Sequence, residues 1–198
     1  MCEENYMEQN IIGGDRIMQE VMDAIVHTTG IDKDSITPDS SLVDDLDVLS
    51  LDFLDMNFRI EQVFGVKMAR SFVLEHIEEM YGEGVAIDEN NEVTEKGVEI
   101  LRLRLSESAD GLEAGTPMDE LPALVTPRTL SSAVNDIFDN LPEKSPAGAD
   151  WKTEDGTHVV CSETGQSAVL PSGDEVVQNW LKAVQEEKQI FGSPFPPP

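Results

Sequence analysis

One helical segment, residues 50–64, constrains the fold more than any other part of the chain. At about 100° per residue, its apolar side chains fall on two separate faces. The broader face, which should be buried, contains Phe53, Met56, Ile60, Val63 and Phe64. A second stripe on nearly the opposite side contains Leu51, Leu54 and Phe58, bordered by Asp52, Asp55 and Glu61. Because a helix needs only one apolar face to join a core, the second stripe predicts a partner.

The charge of the chain excludes several classes of partner. Its 198 residues include 40 acidic and 13 basic side chains, a formal net charge of −27, and a hydrophobic fraction of 39% that suffices for a core. Such a charge repels phosphate backbones and anionic membrane surfaces, so we expect no nucleic-acid binding. No apolar run approaches the roughly 20 residues of a membrane-spanning helix, so we expect no membrane insertion. Two cysteines and no apolar leader segment indicate a cytoplasmic protein.

Periodicity and capping residues predict a helix on each side of the central segment. A first helix is predicted over residues 15–28, with Asp15 as its N-cap and Gly30 as its stop. A later helix is predicted over residues 127–140, with Thr126 as its cap. The long loop after the first helix carries apolar anchors at Ile31, Ile36, Leu42, Val43 and Leu46.

The remaining segments are shorter and less regular. In the middle of the chain we predict a short helix (residues 71–81), a small hairpin (85–93), a helix (95–105) and a surface loop (106–121). Towards the C-terminus we predict a strand pair (151–169) and a helix (172–188). The chain then divides into a flexible tail (residues 1–14), a helical bundle (15–141), a hairpin-plus-helix extension (142–190) and a proline-rich tail (191–198). The bundle contains an insertion at about residues 69–122.

The order of helix, anchored loop, serine-led acidic helix and late fourth helix resembles an acyl carrier protein, of the phosphopantetheine-binding carrier family. The resemblance rests on residues 36–46 (ITPDSSLVDDL), 50–52 (SLD), 60–66 (IEQVFGV) and 125–137 (VTPRTLSSAVNDI). It covers roughly residues 12–68 and 124–141, under half of the chain. The insertion makes the chain similar to specialised long forms of the family.

The resemblance implies a mainly α fold: a four-helix acyl-carrier-like bundle with an α-rich insertion and a small α+β C-terminal extension. It also implies that a phosphopantetheinyl transferase attaches 4′-phosphopantetheine from coenzyme A to Ser50. The arm then holds acyl intermediates as thioesters for lipid or fatty-acid-type biosynthetic enzymes. A hydroxyl at a helix start is exposed, and the N-terminal dipole favours a phosphodiester. On this interpretation the chain is a carrier, not an enzyme, and we expect a monomer.

In the family, basic patches on partner enzymes dock on the second helix. The corresponding positions here are the second stripe and its acidic border: Leu51, Asp52, Leu54, Asp55, Phe58 and Glu61. The alternative is that the stripe packs under the insertion, residues 69–122. Arg59 departs from the family pattern, and it either selects a different partner surface or pairs with Asp55 at i, i+4.

Leu49 is a second departure, because the family usually has an aspartate immediately before the serine. That aspartate is thought to assist the transferase and its metal, and Asp47 is the nearby residue that would substitute for it. Two other functions therefore stay open. In the first, Ser50 is only an N-cap and the chain is an unmodified acidic adaptor on a carrier fold. In the second, the chain is a peptidyl carrier.

Residues 145–149 (SPAGA) and 160–165 (VCSETG) have the outline of two zinc-ribbon knuckles. A ribbon needs four thiolates, and Cys161 is the one that this sequence supplies. Ser145, Gly148 and Thr164 stand at the other ligand positions. We therefore expect a metal-free hairpin. The acidic run before Ser50 is interpreted as a solvated loop, not as a cation site.

Overall fold

The computed structural model describes residues 11–191, and this part of the chain is mainly helical. Its α-helices are α1 (Gly14–Thr29), α2 (Ser50–Phe64), α3 (Val73–Tyr81), α4 (Glu95–Leu105), α5 (Pro127–Asp139) and α6 (Gly173–Lys188). Two strands, β1 (Trp151–Glu154) and β2 (His158–Cys161), form a small antiparallel hairpin. The mainly α fold with a small C-terminal sheet confirms the predicted fold class. Within the described range, each helix is too short or too polar to cross a bilayer.

The first apolar core lies between α1, α2 and α5. The predicted inner face of α2 supplies Met56, Ile60 and Phe64 to this core. Phe64 meets Phe138 of α5 edge to face, with 6.1 Å between the ring centroids. Three of the predicted loop anchors are also buried here: Ile36, Leu42 and Leu46. Contacts with α1, with α5 and with the buried loop anchors therefore set the orientation of α2.

A second apolar core lies between the insertion and the C-terminal helix. Its fully buried side chains include Leu74 of α3, Ile100 and Leu101 of α4, and Leu181 of α6. α6 also reaches the first core, through Val176. The C-terminal helix thus connects the two cores and holds the insertion beside the bundle.

Asp174, in the first turn of α6, ties that helix to the start of the insertion. Its carboxylate accepts hydrogen bonds from the N–H groups of Arg70 (3.0 Å) and Ser71 (3.1 Å), and from the buried ring of His76 (3.0 Å). Burial alone would raise the pKa of Asp174, but the N–H groups of Ser71 and Arg70 and the His76 ring more than offset it. The pKa of Asp174 therefore lies below its ordinary value.

The ends of the described range pack against the two cores. Ile12, in the segment predicted as a flexible tail, is buried in the first core. Phe191 is buried in the second core and stacks on Tyr81, with 4.5 Å between the ring centroids. Gly14 of the predicted N-terminal tail is already the first residue of α1, and residues 1–10 and 192–198 of the two predicted tails lie outside the described residues.

Predicted capping residues are confirmed at the start of α5 and wrong at the start of α1. Thr126 accepts the N–H of Thr129, as the sequence predicts for the N-cap of α5. Gly13 is the N-cap of α1, so Asp15 lies inside the first turn. There its negative charge still interacts favourably with the positive end of the helix dipole.

In the insertion, one prediction is confirmed and one is corrected. The small hairpin predicted over residues 85–93 forms around an antiparallel bridge between Ile87 and Val93, and the Asp88 N–H donates to the Glu92 carbonyl at 2.8 Å. Residues 106–121 are more than a surface loop, since three of their side chains are buried in the second core: Ala109, Leu112 and Leu121.

Candidate functional site

Ser50 is the first residue of α2, and its side chain is exposed. The acidic loop that precedes it is held by local hydrogen bonds. Asp45 accepts the Ser41 N–H at 2.7 Å, and the N–H of Val48 donates to the carbonyl of Leu42 at 2.9 Å. Leu42 and Val48 are themselves buried. The loop therefore presents the serine hydroxyl to solvent from a defined position.

The N-terminus of α2 is only half capped. Asp52 accepts the N–H of Leu49 at 2.9 Å, but Leu49 has no side-chain acceptor to offer the first turn in return. The N–H groups of Ser50 and Leu51 and the Ser50 hydroxyl make no hydrogen bond with any part of residues 11–191. Free N–H groups at a helix start bind phosphate oxygens readily. Ser50 and its neighbours therefore fit a phosphodiester on the serine oxygen.

The second apolar stripe of α2 is exposed. Leu51, Leu54 and Phe58 are 77%, 58% and 55% exposed, and the adjacent Leu49 is 69% exposed. The insertion packs against α6 instead of over this face. The alternative in which residues 69–122 cover the stripe is therefore wrong, and the stripe is available to a partner.

Asp55, on the border of this stripe, makes hydrogen bonds to two other side chains of the protein. It accepts a hydrogen bond from Arg59 at 2.8 Å and another from the Thr28 hydroxyl of α1 at 2.8 Å. These two contacts, Arg59 first, hold the pKa of Asp55 below its usual range. The predicted i, i+4 pair of Asp55 and Arg59 is confirmed, and Thr28 attaches it to α1.

Glu61, at the other end of the border, contacts the start of the insertion. Its carboxylate accepts the Arg70 guanidinium at 2.7 Å and the N–H of Met68 at 3.0 Å, and its side chain is only 14% exposed. Arg70 therefore neutralises the charge of Glu61. The uncompensated negative charge near Ser50 comes from the exposed loop aspartates Asp44, Asp45 and Asp47 and from Asp52.

A crevice of about 370 Å³ lies beside α2. One side is lined by Phe53 and Asn57 of α2 and by apolar side chains in and before α5: Val125, Leu130, Ala133 and Ile137. The other side consists of residues 68–72, Glu75 of α3, Arg104 of α4, and Gly173, Val176 and Val177 of α6. Phe53 lies one turn after Ser50, about 4.5 Å along the helix axis. The volume falls within the roughly 300–1,000 Å³ of small-molecule sites.

Sequence reasoning missed this crevice. Its lining comes from residues 53–75, Arg104, residues 125–137 and residues 173–177, and these parts of the chain meet only after folding. The two-faced pattern of α2 assigned Phe53 to the core, and Phe53 is indeed half-buried. No local signal distinguishes a side chain that fills a core from one that borders a cavity.

The hairpin brings together residues of the two predicted knuckles. Cys161 is buried, and its Sγ lies 3.1 Å from the Ser145 hydroxyl. Hydrogen bonds from Ser145 and then from Thr164 lower the pKa of the Cys161 thiol to about 7. Within residues 11–191, no group of three or more His, Cys, Asp and Glu side chains is arranged to hold a metal ion.

Comparison with known proteins points to one family. The family described as "Phosphopantetheine attachment site" matches residues 19–78. The chain is 51% identical over 49 residues to the acyl carrier protein AcpXL of Brucella melitensis, covering 25% of this chain and 53% of that protein. It is 40% identical over 52 residues to the acyl carrier protein of Petrotoga mobilis, covering 26% and 61%.

A further relative, the acyl carrier protein of Coprothermobacter proteolyticus, is 36% identical over 55 residues, which cover 28% of this chain and 67% of that protein. The chain spans about half the length of the AcpXL relatives that it matches. No solved structure matches the chain.

Proposed function

The chain belongs to the acyl carrier protein family, and on that premise we propose that it holds acyl groups as thioesters on a 4′-phosphopantetheine arm attached to Ser50. The observation that carries this proposal is the exposed Ser50 hydroxyl at a helix start whose first N–H groups are free. The acidic loop before it and the exposed stripe behind it give a transferase a surface to dock on.

Attachment requires little of the carrier beyond presenting the hydroxyl. A new P–O bond forms at Ser50 Oγ, the bond to adenosine 3′,5′-bisphosphate in coenzyme A breaks, and the serine proton passes to a base of the transferase. The N–H groups of Ser50 and Leu51 and the dipole of α2 stabilise the negative charge of the resulting diester.

The crevice beside α2 is the proposed site for the acyl chain. It begins one turn from Ser50, and its lining is mostly apolar. Cavities between the helices of a bundle are usual places for apolar ligands. An engineered apolar cavity of roughly 150 Å³ holds benzene. By that measure, the 370 Å³ crevice accommodates on the order of fifteen carbon atoms.

The exposed stripe is the proposed docking surface for the transferase and for acyl-processing enzymes. Leu51, Leu54 and Phe58 supply exposed apolar surface, and burying such surface against a partner favours association. Asp52 supplies negative charge that attracts a basic patch. Asp55 and Glu61 contribute less than the sequence pattern predicts, because an arginine neutralises each of them.

The names of the relatives favour acyl over peptidyl cargo, since each is an acyl carrier protein. We therefore propose that the partner enzymes belong to fatty-acid or lipid-type synthesis. The competing adaptor function is favoured by one observation, which is that Leu49 lacks the side-chain acceptor of the usual aspartate.

One measurement separates the carrier from the adaptor. The purified chain is incubated with coenzyme A and a phosphopantetheinyl transferase, and its intact mass is recorded. We expect the mass to increase by one arm in the wild type and in Ser132→Ala, an exposed serine of α5, and to stay constant in Ser50→Ala. An unmodified wild type with several transferases, including one from the native host, would establish the adaptor instead.

A further inference from the structure

The crevice beside α2 is closed on one side by elements outside the three helices of the first core. We define this side as the outer wall: residues 68–72, Glu75 and Arg104 of the insertion, together with Gly173, Val176 and Val177 of α6. The opposite side comes from α2, from α5 and from Val125, which lies two positions before α5. The size of the crevice therefore depends on where the insertion and α6 are held.

Both ends of residues 68–72 are fixed by hydrogen bonds. Glu61 of α2 accepts bonds from the Met68 N–H (3.0 Å) and the Arg70 guanidinium (2.7 Å). Asp174 of α6 accepts the N–H groups of Arg70 (3.0 Å) and Ser71 (3.1 Å). One segment of the outer wall is thus attached to both neighbouring helices through buried or half-buried carboxylates.

α6 approaches the same segment as closely as a backbone can. The Gly173 N–H donates to the carbonyl of Lys67 at 2.7 Å. A Cβ added at Gly173 would lie 2.3 Å from the Ala69 nitrogen, which no packed side chain tolerates. This contact leaves the outer wall little freedom to move away when the crevice is filled.

We propose that the outer wall sets the longest acyl chain that this protein encloses, and that Phe72 and Val177 are the side chains that determine this limit. The inference rests on the proposed function, because it requires an acyl chain that starts at Ser50. Phe72 and Val177 line the crevice and also pack in the second core. They therefore separate the space beside α2 from the close-packed interior of the insertion.

Chain length and stability are linked by this geometry. Every methylene group that enters the crevice leaves water, so the acylated protein becomes more stable with each added carbon. Once the crevice is full, further methylene groups stay in solvent and add nothing. The melting temperature of the acylated protein should therefore rise with chain length and then reach a plateau.

The test uses the full chain with saturated acyl groups of increasing length on the Ser50 arm, each verified by intact mass. Melting temperature and thioester hydrolysis half-life are measured for every length. Phe72→Ala removes six side-chain carbons and should move the plateau up by as many as roughly six carbons. Val177→Phe adds four carbons and should move the plateau down by roughly four.

Met80→Ala is the matched control, because Met80 of α3 packs on the second core but does not line the crevice. It should lower the melting temperature of every form and leave the plateau at the wild-type length. If the acylated Phe72→Ala protein reaches its plateau at the same chain length as the wild type, the inference is wrong. This outcome is decisive even if Val177→Phe does not fold. If Ser50 takes no arm at all, the intact mass shows this first, and the proposed function fails together with the inference.

Discussion

The two apolar cores differ in what they leave exposed. The first core uses one face of α2 and leaves Leu51, Leu54 and Phe58 in solvent. The second core combines short helices, tight turns and α6, and in α4 it leaves Leu103 39% exposed. The comparison shows that the insertion lies beside the bundle and leaves Ser50 and the exposed stripe of α2 uncovered. The insertion borders α2 through the crevice instead.

The largest expected effect comes from removing one large buried side chain from each core. Phe64→Ala should lower the free energy of unfolding by about 3–5 kcal/mol and Leu101→Ala by about 2–5 kcal/mol. Both side chains are fully buried. Only Phe64→Ala removes the contact with Phe138 that orients α2, so only this variant should slow the modification of Ser50. Urea unfolding and a time course of intact mass measure the two quantities.

Folded Leu101→Ala protein serves as the control for this comparison. If it is modified as slowly as Phe64→Ala, the second core also orients α2, and the separation between the two cores is wrong.

The second-largest expected loss of stability comes from a substitution at the contact between the two cores. Asp174→Asn removes the charge that accepts two N–H groups and the His76 ring, and should cost about 1.5–3 kcal/mol. Because the pKa of Asp174 is lowered on folding, its contribution is present above the unfolded carboxyl pKa and is lost as pH falls through the folded value. Wild type and variant should therefore differ at neutral pH. The difference should shrink as pH falls below the ordinary carboxyl pKa and vanish only below the lowered pKa of Asp174.

Chemical denaturation at several pH values checks this prediction. Asp119→Asn, an exposed aspartate of the insertion, should show no comparable difference at any pH. A constant gap between wild type and Asp174→Asn down to strongly acidic pH would mean that the carboxylate charge is not what holds the junction.

A smaller effect on stability is expected at the start of α2, beside the proposed docking surface. Leu49→Asp supplies the missing N-cap acceptor and should raise the free energy of unfolding by about 1 kcal/mol. It also places a carboxylate where the family usually has one, so Ser50 should be modified faster. Leu49→Ala removes the same exposed side chain without adding an acceptor. Equal modification rates for these two variants would show that the acceptor is unimportant.

The smallest effect lies in the hairpin, outside the contacts that orient α2. In a Cys2→Ser background, the alkylation rate of Cys161 should rise through a midpoint near the thiol pKa of about 7. The thiol borders a cavity of about 220 Å³ that gives a reagent access. Thr164→Val should move the midpoint upwards, because a hydrogen bond to the thiolate is lost, and Thr164→Ser should restore it.

This lowered pKa also gives a signed effect on stability. The thiolate contribution is present above the unfolded thiol pKa and is lost as pH falls through about 7. A Cys161 midpoint that stays in the ordinary thiol range would contradict the role of Ser145 and Thr164.

Several features of the fold and site could be predicted from local sequence, because they depend on neighbours along one helix or turn. The two faces of α2 follow from a 3.6-residue period, and the burial of Met56, Ile60 and Phe64 confirms the assignment. The cap at Thr126 is equally local. The exposed serine at residue 50 and the family itself also followed from short motifs in register.

Tertiary structure alone decided the partners of Glu61, the burial of Leu112 and Leu121, and the existence of the crevice. Each depends on segments that meet only after folding, such as Ser71 and Asp174, which are 103 positions apart. Sequence patterns report the period of a helix and the chemistry of its caps. They do not predict which distant backbone group will donate a hydrogen bond to a given carboxylate, because packing between elements depends on their shapes in three dimensions.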